Sequence, residues 1–576
     1  MRYTGRWFAQ IRMATLSLFR RHSETARLGE ELQFHLEQQV RENIAAGATP
    51  EEAHKAALRS FGNPTLLREQ ARATWSWHWL EVSARDLRYG TRRLLRSPSF
   101  ACIAILVMAL GIGAATSLFT MVRSVLLKPL PFRDPDRLVT VYEHFRGNTS
   151  GDGLNLVSPG DFRDWRAQTH GFEDMGAWRP TDFNLSGEHS ELPEVIEGAG
   201  FSFSLLTVLG VEPVIGRNFT AQEDEPDAYH VALLTWSLYQ RRFGGNPSIL
   251  GRQIHLNSDP WTIIGVLPSW FVYPDARSQI IVPWGQTYTP EQFSHHDMHQ
   301  THVVARMRPG ASAVAAVKEI GALQYQLHLQ HASEPVAEEV RWRPMIDDVV
   351  QDVKKPLLVL LSAVGCMLLI ACLNVSNLLV ARSAARRKEV AVRGALGGSR
   401  LALIREQMTE SLLICMAGGT LGLLLSIAVT HWFAGHWSDL PRAETVHIDG
   451  TVFLFSASII VFCALFAGLL PAISSTGAGV LAALQESSRS IGGSVARATL
   501  RRTLLVAEIA LTVILLVTAG LLFKSFLHLR TTDLGCATDH TLTMKYTLPR
   551  KQYDTPAKIS AFHESLLERV RRVPGI

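Results

Sequence analysis

The stretch FACIAILVMALGIGAATSLFTMV, Phe100–Val122, carries no charged side chain and is long enough to cross a bilayer as a helix. At a rise of about 1.5 Å per residue, about 20 residues cover a hydrocarbon layer of roughly 30 Å. Four more stretches of this kind follow, at Leu357–Val380, Ser411–Phe433, Val452–Ile473 and Leu504–Phe523. A long polar segment, 123–355, separates the first from the second. The pattern predicts an α-helical membrane protein of five spans, with a mixed α/β domain outside the membrane and a small helical N-terminal domain.

Composition agrees with that mixture. The chain has 576 residues, 47% hydrophobic and 19% charged, with a mean hydropathy of +0.10. These values lie between those of a soluble protein and a pure membrane bundle. The formal net charge is only +5, and many basic residues sit beside the spans, so nucleic acid is not an expected partner. Cys102, Cys366, Cys372, Cys415 and Cys463 lie inside spans, where they read as small packing residues, and Cys536 stands alone. The polar segment between the first two spans has no cysteine, so neither a disulfide framework nor a zinc spacing is available there.

Charge sets the expected orientation. Arg85, Arg88, Arg92, Arg93 and Arg96 precede the first span, and Arg382, Arg386, Arg387, Lys388, Arg393, Arg400 and Arg405 lie between the second and third. Arg489, Arg497, Arg501 and Arg502 precede the fifth, whereas the loop 434–450 carries Arg442 against Asp439, Glu444 and Asp449. Short basic loops stay in the cytoplasm. The N-terminus is therefore expected inside the cell and the 123–355 domain outside. Arg6, Arg12 and Arg20 interrupt the apolar runs of Met1–Arg21, so the first span reads as an uncleaved insertion signal.

The domain organisation follows from local patterns. Residues 1–73 read as a helical cytoplasmic prefix: Leu28, Leu32, Leu36, Val40 and Ile44 form a stripe, Gly47 stops the helix, and Thr49-Pro50-Glu51-Glu52 starts another. A docking module and a plain folded cap both fit it. Residues 74–99, with Trp75, Trp77 and Trp79 and basic amphipathic character, read as an elbow helix on the anionic leaflet or as a soluble helix packed on the prefix. A span at 100–122 and the outer domain at 123–355 come next. In that domain His230–Leu234 reads as a strand, Ser237–Phe243 as a helix, and Arg252–Leu256 with Trp261–Gly265 as a hairpin turning at Asn257-Ser258-Asp259-Pro260. Ala311–Gln330 reads as a long helix. Three spans occupy 356–475 around a cytoplasmic loop 381–410, then a linker 476–503, a span 504–524, and the start of a second outer domain at 525–576, which reads as truncated. There Thr541–Thr547 is strand-like and Pro556–Val573 helical.

Catalytic motifs are missing. There is no G-x-x-x-x-G-K-[ST] phosphate loop, no H-E-x-x-H and no G-x-S-x-G, so no catalytic residue and no resident cofactor is expected. His295, His296, Asp297, His299 and His302 cluster outside the membrane, and a solvated loop is expected there rather than a metal site. Inside the spans, Gly111 with Ala115 and Gly418 with Gly422 have the spacing that lets helices approach closely, and Asn374 and Asn377 can bond between helices. Membrane-buried charge, which a substrate pathway would require, is limited to Glu508, which can equally face headgroups.

The segment Arg386-Arg387-Lys388-Glu389-Val390-Ala391-Val392-Arg393-Gly394-Ala395-Leu396-Gly397-Gly398-Ser399-Arg400, with Glu410-Ser411 beyond it and Asn374-Val375-Ser376-Asn377 before it, resembles the FtsX-like permease signature. Leu209-Gly210-Val211, Gly216-Arg217-Asn218-Phe219, Arg241-Arg242-Phe243-Gly244 and Gly265-Val266-Leu267-Pro268 resemble the MacB-type periplasmic core domain. Ser97-Pro98-Ser99-Phe100, Leu110-Gly111-Ile112-Gly113-Ala114 and Pro129-Leu130-Pro131 resemble a duplicated permease subgroup that carries a helical prefix. The resemblance implies an ABC transporter permease in the lipid of a bacterial inner membrane, whose partner is a separate cytoplasmic ATPase that holds the ATP and magnesium. It also implies a second permease half or a periplasmic partner, and relay of ATP-driven movement to the outer domain. The implied ATPase contact is Arg386, Arg387, Lys388, Glu389, Arg393, Gly397 and Arg400; Glu389 and Arg393 share a helical face. Inside-positive topology alone would also place arginines there. A membrane sensor acting on a periplasmic partner is the alternative function.

Overall fold

Each apolar stretch is helical, and each helix outruns the stretch that marks it. The computed structural model describes residues 37–47, 78–145, 153–186, 193–330, 339–385, 400–436, 447–476, 492–532 and most of 541–574, with a few isolated positions besides. Helix α1 (His78–Leu95) leads through Ser97 into α2 (Pro98–Val122), the first span. The expected prefix domain lies largely outside the described residues; 37–45 are helical and Gly47 follows at a φ of +96°, which suits glycine.

The segment after α2 builds a mixed sheet of ten strands. These are β1 (Leu138–His144), β2 (Phe172–Leu185), β3 (Glu194–Phe201), β4 (Ile215–Gly216), β5 (Val231–Leu234), β6 (Gln253–Leu256), β7 (Asp259–Val266), β8 (Ile280–Pro283), β9 (His302–Met307) and β10 (Glu339–Pro344). Their order is β10-β1-β9-β2-β3-β8-β5-β7-β4, with β6 pairing β2 and β7. The β3–β8 and β5–β7 pairs are parallel and the rest antiparallel. Strands β5 and β8 are buried along their whole length, which explains their unbroken apolar sequences. The hairpin β6–β7 is tighter than its sequence suggests. Leu256 pairs Asp259, leaving a two-residue turn at Asn257 and Ser258, both at positive φ, so Asp259 and Pro260 belong to the strand.

Helices α3 (Pro159–Gln168), α4 (Leu205–Leu209), α5 (Trp236–Phe243), α6 (Pro290–Ser294) and α7 (Ala313–Gln330) cover this sheet. Side chains alternate between its faces. Along β9, Val304 joins a core with Leu205, Leu206 and Phe201, while Val303 and Ala305 join another with Trp165 and Trp284. Met345, buried in the first of these cores, is the first residue of α8 (Met345–Ala385), which carries the second apolar stretch. The remaining spans are α9 (Arg400–His436), α10 (Gly450–Thr476) and α11 (Gly492–Thr531). Helix α12 (Pro556–Arg571) follows, and no strand occurs among the described residues of 541–547.

The histidine cluster is not a solvated loop. His296 Nδ1 lies 2.8 Å from Asp161 Oδ1, and His299 Nδ1 lies 2.6 Å from Glu143 Oε2. Both carboxylates are completely buried, at the first turn of α3 and near the end of β1. His302 stacks on Trp178 with ring centroids 4.0 Å apart, His295 is half-buried and Asp297 is exposed. The local sequence is polar, but His296 is buried and its hydrogen bond to Asp161 compensates that carboxylate's burial, whereas His299 and Glu143 touch without a hydrogen bond. Burial, and then the neighbouring charge of Asp161, push the Glu143 carboxyl well above its usual range. Burial opposes ionisation of Asp161 too, yet hydrogen bonds from His296, Glu143 and Ser158 outweigh it and hold that carboxyl low. Among the described residues no three His, Cys, Asp or Glu side chains are grouped to hold a metal ion.

By contacts the chain divides into two units, Met1–Ala104 with Arg382–Ile414 and Gly468–Arg489, and Ile105–Ala381 with Cys415–Ala467 and Ser490–Ile576.

Candidate coupling site at the arginine-rich helix ends

In the first unit, opposite charges that stand far apart in sequence meet. Along α1, Asp86, Gly90 and Arg93, with Ser97 just beyond, recur at three- and four-residue spacing and so share one face. That face meets the first turns of α9. Asp86 Oδ2 accepts a hydrogen bond of 2.5 Å from Arg405 Nε. A β-carbon on Gly90 would stand 2.9 Å from Leu413 Cδ1, so the small residue lets the helices close. Arg93 Nη1 donates to Glu406 Oε1 at 2.6 Å and stands 3.6 Å from Glu410 Oε2.

Arg382, near the end of α8, completes the group. Its Nη1 donates to Glu410 Oε1 at 2.5 Å, and its Nη2 to Ser97 Oγ at 2.6 Å and to the Arg93 carbonyl at 3.1 Å. The guanidinium lies 4.6 Å from the centre of the Phe100 ring. The Glu410 side chain is only 3% exposed and that of Arg382 14%. A lone carboxylate buried so deeply would be costly, and two guanidiniums make its ionised form tolerable. The group ties α1, the start of α2, the end of α8 and the start of α9 into one charge-neutralised knot. Among the implied ATPase-contact residues, Arg386, Arg387, Lys388, Glu389, Arg393 and Gly397 lie outside the described residues, and Arg400 is the first residue of α9.

In the second unit the first span is the hub. More than half of its apolar window is buried, 56%, against 6% for the fifth span. A β-carbon on Gly111 would stand 3.2 Å from Leu368 Cδ1 and 3.3 Å from Ala371 Cβ, so Gly111 faces α8. Gly418 abuts Met108, and Gly422 meets Ala109 and Gly113, where an added β-carbon would stand 2.8 Å from the Gly113 nitrogen. The partner of Gly422 is thus Gly113, two residues past Gly111, and the seam on α2 is Ala109–Gly113. Ala115 is buried, Asn374 is half-buried, and Asn377 Nδ2 donates to Glu508 Oε2 at 3.3 Å. Thr116 and Ser456 hydroxyls lie 3.2 Å apart, and Phe119 stacks on Phe455 at 3.7 Å. At the other end of the first span, Arg123 pairs with Asp449, which also accepts the Thr451 and Val452 amides to cap α10.

Sequence reasoning missed the Arg93, Arg382, Glu406 and Glu410 knot because it read those arginines only as topology signals. A usable signal was present: Glu410 directly precedes an apolar span and is buried in the fold.

Among the described residues, five helices long and apolar enough to cross a membrane, joined to a mixed α/β domain, fit a multi-pass membrane protein. A MacB-like periplasmic core domain matches residues 101–323 and an FtsX-like permease C-terminal domain matches 361–480, and the chain is a MacB/FtsX-type ABC transporter permease. The macrolide export ATP-binding/permease protein MacB of Chromobacterium violaceum is 24% identical over 418 residues, covering 68% of this chain and 58% of that protein. The probable syringafactin export ATP-binding/permease protein SyfD of Pseudomonas syringae pv. tomato is 25% identical over 251 residues, 41% of this chain and 34% of that protein. The chain therefore spans well under two thirds of these relatives' length. The periplasmic region of MacB from Actinobacillus actinomycetemcomitans superposes with a TM-score of 0.29 at 14% identity, over 40% of this chain and 95% of that structure.

Proposed function

We propose that this chain is a permease subunit that couples ATP hydrolysis by a separate cytoplasmic ATPase to movement of its outer domain, driving export or extraction outside the cytoplasmic membrane. The relatives' names supply the export theme. The observation that carries the relay is α8. It runs unbroken from Met345, packed in the outer domain's core, to Ala385, three residues past the ion-paired Arg382. A force on the arginine-rich ends then reaches the outer domain along one helix, without a passage between the spans. The ATPase meets loop 381–410 through Glu389 and Arg393, and the N-terminus and that loop face the cytoplasm. This chain itself holds no nucleotide: the phosphate-loop motif is absent from its sequence.

The test is co-expression of the full chain with a candidate cytoplasmic ABC ATPase from the same organism. The two should co-purify, and Glu389→Ala with Arg393→Ala should release the ATPase while the chain stays monodisperse. Retention of the ATPase by that double variant would refute the docking site.

A further inference from the structure

The contact with α9 uses only one side of α1. At about 100° per residue, the rest of the circumference divides into two stripes. Arg85, Arg88 and Arg92, with Arg96 one residue past the helix end, form one, and Leu87 and Leu95 lie on the strip that borders it, Leu95 only about 20° from Arg88. All six side chains are exposed, Leu95 by 75% and Leu87 by 45%. Among the described residues the four guanidiniums have no side-chain partner, in contrast to Arg93 on the packed side.

A water-facing helix gains nothing by exposing leucines beside four like charges. An interface between headgroups and acyl chains accommodates both stripes at once. The position of α1 fits that interface, because the chain passes directly from Leu95 through Ser97 into the first span. Guanidiniums bind phosphate oxygens in a bidentate fork, and their methylene stems cover apolar surface.

We propose that Arg85, Arg88, Arg92 and Arg96 form a binding surface for the phosphate headgroups of anionic phospholipids, with Leu87 and Leu95 seated among the acyl chains. Bound lipid fixes α1 from the outside while Arg93 fixes it to Glu406 and Glu410 from the inside. The anionic leaflet thereby becomes part of the support for the coupling site. The surface does not depend on which ATPase, or whether any, docks nearby.

Native mass spectrometry of the detergent-purified full chain, with phosphatidylglycerol or phosphatidylcholine added, tests this. The wild type should retain phosphatidylglycerol several-fold over phosphatidylcholine, and raising the salt should reduce that preference. The quadruple variant Arg85→Gln, Arg88→Gln, Arg92→Gln, Arg96→Gln should abolish the preference, and the matching quadruple lysine variant should keep most of it. Should the glutamine variant not fold, Arg88→Gln and Arg92→Gln singly should each lower the preference by about two-fold. A wild type without preference overturns the proposal, as do variants that keep the preference undiminished. Loss of a bound protein with lipid preference intact overturns it too, because the stripe would then belong to a protein partner.

Discussion

Glu410 on α9 receives Arg382 of α8 at 2.5 Å while Arg93 of α1 stands 3.6 Å from its other oxygen. One buried carboxylate thus holds two arginines from separate helices. Removing a single partner of such a group costs roughly 3–5 kcal/mol, because a buried charge is left uncompensated. Glu410→Ala should therefore sharply lower the temperature at which the detergent-solubilised chain loses monodispersity. Arg382→Met with Glu410→Leu should restore much of the loss; if the double variant is as unstable as Glu410→Ala, the pair does not carry the stability assigned to it.

Gly422 and Gly113 let the first and third spans touch backbone to backbone. A methyl at 422 would stand 2.8 Å from the Ala109 carbonyl oxygen and from the Gly113 nitrogen, neither of which can move without shifting a helix. Gly422→Ala should cost about 1–3 kcal/mol by overpacking. Gly365, in the second span, has nothing within 4 Å of an added β-carbon. Gly365→Ala should be neutral or slightly stabilising, and thermal stability in one detergent compares the two.

Asn377 and Glu508 form a polar contact between the second and fifth spans at 3.3 Å. Hydrogen bonds between membrane helices couple by about 0.6 kcal/mol on average and by up to about 1.7. A double-mutant cycle with Asn377→Leu and Glu508→Gln, read by thermal stability, should give coupling of that size. Strict additivity would mean that the contact contributes nothing.

His302 makes the outer domain sensitive to acid. Burial lowers its pKa from 6.5 to about 4. Above about pH 6.5 the ring is neutral in both folded and unfolded chains. As pH falls toward 4 the unfolded chain takes up a proton that the folded one refuses, so stability declines. At about 1.4 kcal/mol per pH unit the loss is roughly 3 kcal/mol. His302→Phe, which can keep the stack on Trp178, should flatten the stability profile between pH 6.5 and 4. An unchanged profile would place the acid sensitivity elsewhere.

The elements legible in the chain are those whose cause is local. Trp236–Phe243 and Ala313–Gln330 form helices within two residues of their expected limits, and Val231–Leu234 a strand within one. The turn at Asn257-Ser258 is shorter than the sequence suggests, because Pro260, a residue typical of loops, pairs with His255 in the hairpin. The candidate site was legible only in outline. Arg93 and Glu406 are separated by 313 residues, and no periodicity links them.

Sequence alone determined the five spans, the position of the outer domain and the side richest in arginine, because transfer of a helix into lipid sums contributions from neighbouring residues. Tertiary structure alone decided that Glu410 holds Arg382, that Gly422 meets Gly113, and that His296 and His299 lie against two buried carboxylates. Those outcomes depend on which distant segments pack together, and pairing of charge or close backbone approach has no energy until they do.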